Sequence, residues 1–239
     1  MEGFTYYNIF ETKGIEYIAI IIFFMMLIPF WLIISRRVQI VKKIQEILGT
    51  LSFSSLRIPK GLYFSKNHSW TFLEKTGLAK IGVDDLVLKV TGDIKVINLK
   101  SPGDQVRQDE KIAELDHRGK RLAIFSPISG KVENINELIM QNPGIISEDP
   151  YNAGWMFTIL PSDWKTETQK FYLADEAITW AKNELARFRE FVAGAMNKYA
   201  LGSADHVLQD GGELYDHTLS DLPEELWKDF QQEFLNPGT

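Results

Sequence analysis

The 239-residue chain contains no cysteine. That absence excludes disulfides, thiolate catalysis and cysteine-ligated metal or iron–sulfur centres on this chain. Histidine is scarce as well, four in all. His68 and His117 lie far apart, and nothing near either offers the short ligand spacing of a metal site. No metal is expected. An excess of basic residues is also missing: 26 Lys and Arg against 32 Asp and Glu leave a formal net charge of −6. Such a balance argues against nucleic acid as a partner, which would call for a basic face. There is no nucleophile elbow, no phosphate-cradling glycine loop and no carboxylate pair in an acid–base setting. Asp84-Asp85 and Glu148-Asp149 read as helix-start or turn residues. The chain is expected to be no enzyme.

What is present divides the chain into zones. Residues 1–14 form a short leader with two glutamates and one lysine, followed by a transmembrane helix expected over residues 15–35. Within it, residues 17–34 (YIAIIIFFMMLIPFWLII) carry no charge, and with their flanks they reach about the ~30 Å of a hydrocarbon core. A signal peptide would show a basic leader, a shorter apolar run and small residues at a cleavage point; bulky Trp31-Leu32-Ile33-Ile34 stands there instead. Arg36, Arg37, Lys42 and Lys43 follow the run, so the positive-inside rule sets the amino terminus outside and the main domain in the cytoplasm, at the inner membrane. One span cannot make a channel alone, so the lipid bilayer and other subunits of a complex are the expected partners. Residues 36–56 read as a juxtamembrane helix and a small-residue linker.

The stretch at residues 99–132 holds two versions of one pattern. Ser101-Pro102-Gly103-Asp104-Gln105-Val106 is echoed by Ser126-Pro127-Ile128-Ser129-Gly130-Lys131-Val132. Between them lie a β-prone run, a polar tip (Asp116-His117-Arg118-Gly119-Lys120-Arg121) and a second β-prone run, which is the signature of a hairpin. Two turn-and-strand halves around a hairpin imply a small flattened β-barrel with an exposed tip.

These motifs resemble the swinging-arm domains that carry lipoate or biotin, and the surroundings narrow the resemblance to the H protein of the glycine cleavage system. Tyr63-Phe64-Ser65-Lys66-Asn67-His68-Ser69-Trp70, Ile81-Gly82-Val83-Asp84-Asp85-Leu86, Gly92-Asp93-Ile94, Asn142-Pro143, Glu148-Asp149-Pro150-Tyr151 and Gly154-Trp155-Met156 match it in order. The resemblance implies a mainly β, lipoyl-type barrel-sandwich fold over residues 57–164, with a carboxy-terminal helical extension. It also implies a lysine eight residues before the proline of the Ser-Pro-x-Ser-Gly turn. Here Gly119 holds that position and Lys120 comes one place later, while Asp116 matches the family's acidic residue. A one-residue shift on a hairpin turns a side chain to the other face. Lys120 is the candidate lipoylation site, but Gly119 fits a plain tight turn as well.

Residues 165–199 read as one long amphipathic helix with Leu173, Ala177, Ala181, Leu185, Phe188, Val192 and Ala195 on its apolar stripe. Residues 200–239 carry nine acidic residues and a single lysine, Lys228. Leu226, Trp227, Phe230 and Phe234 form a compact apolar face, expected to dock on a neighbouring subunit; folding back on the chain's own domain is the alternative. The basic tip, Arg118, Gly119 and Arg121, is expected to contact an acidic partner or phosphate-bearing headgroups. Two functions follow. In the first, the chain is a non-catalytic cytoplasmic platform, without cofactor, for the membrane-embedded and cytoplasmic subunits of a complex, with an electron-transfer complex as the favoured context. In the second it is a membrane-tethered lipoyl carrier that uses Lys120 to shuttle reducing equivalents or an aminomethyl group.

Overall fold

A computed structural model describes residues 17–18, 20–31, 51–198 and 214–238. The chain forms two units, Met1–Leu48 and Gly49–Thr239. In the first, residues 17–18 and 20–31 are helical, and their large apolar side chains, Phe23, Phe24, Met25 and Met26 among them, are exposed. Among the described residues no helix is long and apolar enough to cross a membrane. The remainder of the expected 15–35 span, the leader, and the basic cluster from Arg36 to Lys43 lie outside the described residues.

The second unit is mainly β, as its alternating runs imply. One six-stranded antiparallel sheet has the order β1-β2-β3-β9-β8-β5, with β1 at Tyr63–Phe64, β2 at Ser69–Leu73, β3 at Ala79–Val83, β5 at Gln105–Val106, β8 at Gly130–Ile135 and β9 at Phe157–Pro161. A second, three-stranded sheet runs β4-β6-β7, with β4 at Lys95–Asn98, β6 at Lys111–His117 and β7 at Lys120–Phe125. Alternation on these strands sends Leu115, Leu122 and Ile124 from the small sheet, and Ile81, Val83, Val132 and Ile159 from the large one, into one core. The glycine of the second turn is required by proximity: a Cβ on Gly130 would collide with the Leu160 carbonyl, because β8 and β9 approach so closely there.

Helix α1, Asp85–Thr91, is started by Asp84, whose carboxylate accepts a hydrogen bond from Val87 N at 3.0 Å. Short helices α2 (Glu137–Gln141), α3 (Ile145–Glu148) and α4 (Trp164–Glu167) follow in the connections. Arg57, the first residue after the expected linker, clamps α1 to α3 by pairing with Asp85 and donating to the Ser147 carbonyl at 2.7 Å.

The expected single helix over 165–199 is corrected. After α4 and a 3₁₀ turn at Thr168–Lys170, the chain runs extended, and Tyr172 pairs with Phe64 through two main-chain hydrogen bonds of 2.9 Å. Ala174 then turns at φ 52°, and α5 begins at Asp175 and runs to Lys198. Edge pairing with β1 thus interrupts an otherwise helical pattern. The buried stripe of α5 is Ala177, Trp180, Ala181, Leu185, Phe188, Val192 and Ala195, so Trp180 takes the place expected of Leu173.

Candidate functional site at the hairpin tip

The β6–β7 hairpin closes through a two-residue turn. Arg118 and Gly119 have φ of 51° and 93°, and His117 pairs with Lys120 across the last rung. Two successive positive φ values are the mark of the turn whose twist matches paired strands, and they demand a residue such as glycine at the second position. Gly119 therefore sits at the apex, where nothing lies within 4 Å of the place a Cβ would take. Arg118 and Gly119 are exposed. Arg121 is exposed too, but its guanidinium is already engaged, 3.3 Å from Glu114 and 3.2 Å from Asp116.

Lys120 behaves differently. Its Nζ donates to the Ser220 carbonyl at 2.8 Å and to the Leu222 carbonyl at 2.6 Å, and it lies 5.6 Å from the centre of the Trp227 ring. Trp227 in turn stacks on His117, while its indole N–H donates to the Leu219 carbonyl at 2.8 Å. Lys120 is half-buried, and its amine is held by this chain's own carboxy-terminal segment.

That segment corrects an expectation. Leu226, Trp227, Phe230 and Phe234 are not an outward docking face: each is at most 1 % exposed, inside the core of its own domain. They belong to α6, Glu224–Phe230, and the π-helical turn Gln231–Leu235 that continues it. Phe230 and Phe234 stack on each other and meet Phe188 and Phe191 of α5 edge-on. Eight apolar side chains of this segment are buried, from Leu214 to Leu235. At roughly 1.5–3 kcal/mol each, their gross stabilisation is about 12–24 kcal/mol as an upper estimate. That rivals the net stability of a whole domain, which makes the segment an integral part of the fold. Among the described residues of the segment, Asp221, Glu224, Glu225 and Glu233 lie on the exposed side.

The second polar centre went unread in the sequence. His68, fully buried with φ 60°, donates from Nδ1 to Asp84 at 2.6 Å, and its Nε2 lies 3.4 Å from Glu184 of α5. Burial by itself would lower the imidazole pKa, but Asp84 and Glu184 outweigh it and push it up to about 9. Glu184 also pairs with Arg187 at 3.1 Å, and Arg187 donates to the Glu233 carbonyl at 2.7 Å while lying over the Phe234 ring. Side chains thus connect the barrel through α5 to the carboxy-terminal turn. The available signal was Glu184 itself, a carboxylate set among the apolar positions of α5. Among the described residues no cluster of His, Asp and Glu could hold a metal ion.

The sequence model of a known family, described as Glycine cleavage H-protein, matches residues 62–184. The chain belongs to the glycine cleavage H-protein family. A glycine cleavage system H protein from Coprothermobacter proteolyticus is 33 % identical over 108 residues, covering 45 % of this chain and 85 % of the relative. A probable glycine cleavage system H protein from Pyrococcus abyssi is 29 % identical over 127 residues, covering 53 % of this chain and 94 % of the relative. A crystal structure of the glycine cleavage system H protein from Mycobacterium marinum aligns with a TM-score of 0.46 and 22 % identity, over 52 % of this chain and 98 % of that one. The H-protein domain here is of the lipoyl-carrier type. The enclosing segment, residues 214–235, lies beyond the residues that match the family.

Proposed function

We propose that this H-protein-like chain is a non-catalytic, single-span membrane-anchored subunit whose domain is a cytoplasmic platform for the assembly of a membrane complex, with electron transfer as its context. The observation that carries this reading is the apex of the hairpin. Gly119, at φ 93°, stands where the family resemblance puts the modified lysine, so the apex bears no amine. The uncharged run at residues 17–34 supports a membrane anchor, and a tethered domain works with partners that are also held at the bilayer, at high effective concentration. Its partners are then the membrane-embedded and cytoplasmic subunits beside it.

The intact mass of the natively expressed, detergent-extracted chain tests this, with peptide mapping across residues 116–121. An unmodified tip in a host that lipoylates other proteins, together with co-purifying membrane subunits, is the result expected. A lipoyl-sized increment on Lys120 would instead make the chain a tethered carrier. That second reading draws on Lys120 being adjacent to the apex and on Asp116, which accepts a hydrogen bond from Gly119 N at 3.4 Å.

A further inference from the structure

Removal of the amine from the apex explains only half of the tip. A lysine one residue along a hairpin would ordinarily keep a solvated, nucleophilic amine, and the flexible side chain could still reach an acylating enzyme. Lys120 cannot use that freedom. Two of its three Nζ donors are taken by the Ser220 and Leu222 carbonyls, and the Trp227 ring lies alongside. These acceptors are themselves held in place. His217 N donates to the Lys89 carbonyl at 2.6 Å, Leu219 N to the Val90 carbonyl at 2.8 Å, and Lys89 pairs with Asp216 at 2.9 Å. On the far side, Gln231 and the phenylalanines anchor the segment to β7 and α5.

We propose that residues 214–235 are a built-in cover that withholds the Lys120 amine from acyl donors, so that an enzyme able to read the hairpin meets no free nucleophile there. The inference rests on the platform reading and deepens it, since the cover keeps a member of a carrier family out of acyl transfer. For acylation, neutral Nζ must attack the donor carbonyl. A C–N bond then forms, the bond from the carbonyl carbon to the leaving oxygen breaks, and the surplus proton passes to solvent. The hydrogen bonds to Ser220 and Leu222 aim the Nζ donors inward and hold the nitrogen against the segment, away from an approaching acyl carbon.

The full chain in detergent, treated with the N-hydroxysuccinimide ester of acetic acid and mapped by mass spectrometry, tests the proposal. Lys95, exposed on β4, is the internal standard. In the parent chain Lys120 should acetylate about tenfold more slowly than Lys95, or slower still. Trp227→Ala, which opens the cover directly over the amine, should bring the two rates within about threefold, with far-UV circular dichroism showing that the barrel persists. If Trp227→Ala fails to fold, Gln231→Ala is the deciding variant, expected to raise the Lys120 rate relative to Lys95. Equal rates in the parent chain, or undiminished protection of Lys120 in a folded variant, would overturn the cover. The outcome is separable from that of the platform reading: lipoate found on native Lys120 refutes the platform, whereas acetylation of the purified chain reports on the cover alone.

Discussion

Gln231 satisfies both main-chain groups of Ala123. Its Oε1 accepts from Ala123 N at 2.6 Å, and its Nε2 donates to the Ala123 carbonyl at 3.3 Å. β7 is the edge of the small sheet, where unpaired main-chain groups would invite another strand. One side-chain amide thus does at this rung what a neighbouring strand would do. Gln231→Ala should cost about 1 kcal/mol of stability and hasten amide exchange at Ala123, measured by hydrogen–deuterium exchange. An unchanged exchange rate at that position would show that the amide pair protects nothing.

Lys120→Met keeps the aliphatic stem and removes the charge. Two hydrogen bonds from a charged donor and a cation–π contact disappear, leaving the Ser220 and Leu222 carbonyls unpartnered. A loss of about 2–3 kcal/mol is expected in urea unfolding. The platform reading adds that assembly of the membrane complex should survive this change, as judged by co-purification of its subunits.

Gly119→Lys restores an amine at the apex but forces a lysine to φ 93°. The strain should cost about 1–2 kcal/mol. Because the apex is open, the new amine should accept lipoate in a host that lipoylates other H proteins, where the platform reading expects the parent chain to stay unmodified. Mass mapping of residues 116–121 reads both results.

His68 should make the domain sensitive to alkali. Its folded pKa, about 9, lies above the ordinary value of 6.5. The native state therefore binds the proton more tightly than the unfolded chain does. The resulting stabilisation is complete below about pH 6.5 and is lost as the pH rises through about 9. Thermal melts across that window should show a falling midpoint, and His68→Leu should flatten this dependence. The same variant leaves Asp84 and Glu184 buried without their shared cation, so it should cost about 3 kcal/mol or more at neutral pH.

Deletion of residues 210–239 should do more than loosen contacts with other subunits. It strips eight buried apolar side chains from the core and uncovers Phe188 and Phe191. The truncated domain should bind the dye ANS and melt well below the full chain. A truncated chain with an unaltered melting temperature would mean that the segment contributes no net stability.

Local and short-range order determined much of what the sequence alone could reveal here. The two Ser-Pro turns, the alternation of β6 and β7 and the glycine in the tip specify a hairpin within a flattened β-barrel, because strand period and turn chemistry are written in neighbouring residues. The H-protein family was legible for the same reason, as was the helix-starting role of Asp84. Only tertiary structure decided the partner of each exposed-looking group. Lys120 meets Ser220 and Leu222 a hundred residues later, and His68 meets Glu184 of α5. The aromatic face of residues 226–234 finds its cover in α5 instead of in another chain. An amphipathic pattern states that a face must be buried and is silent about what buries it. Likewise, the break before α5 depends on a main-chain pair between Tyr172 and Phe64, which no helical periodicity records.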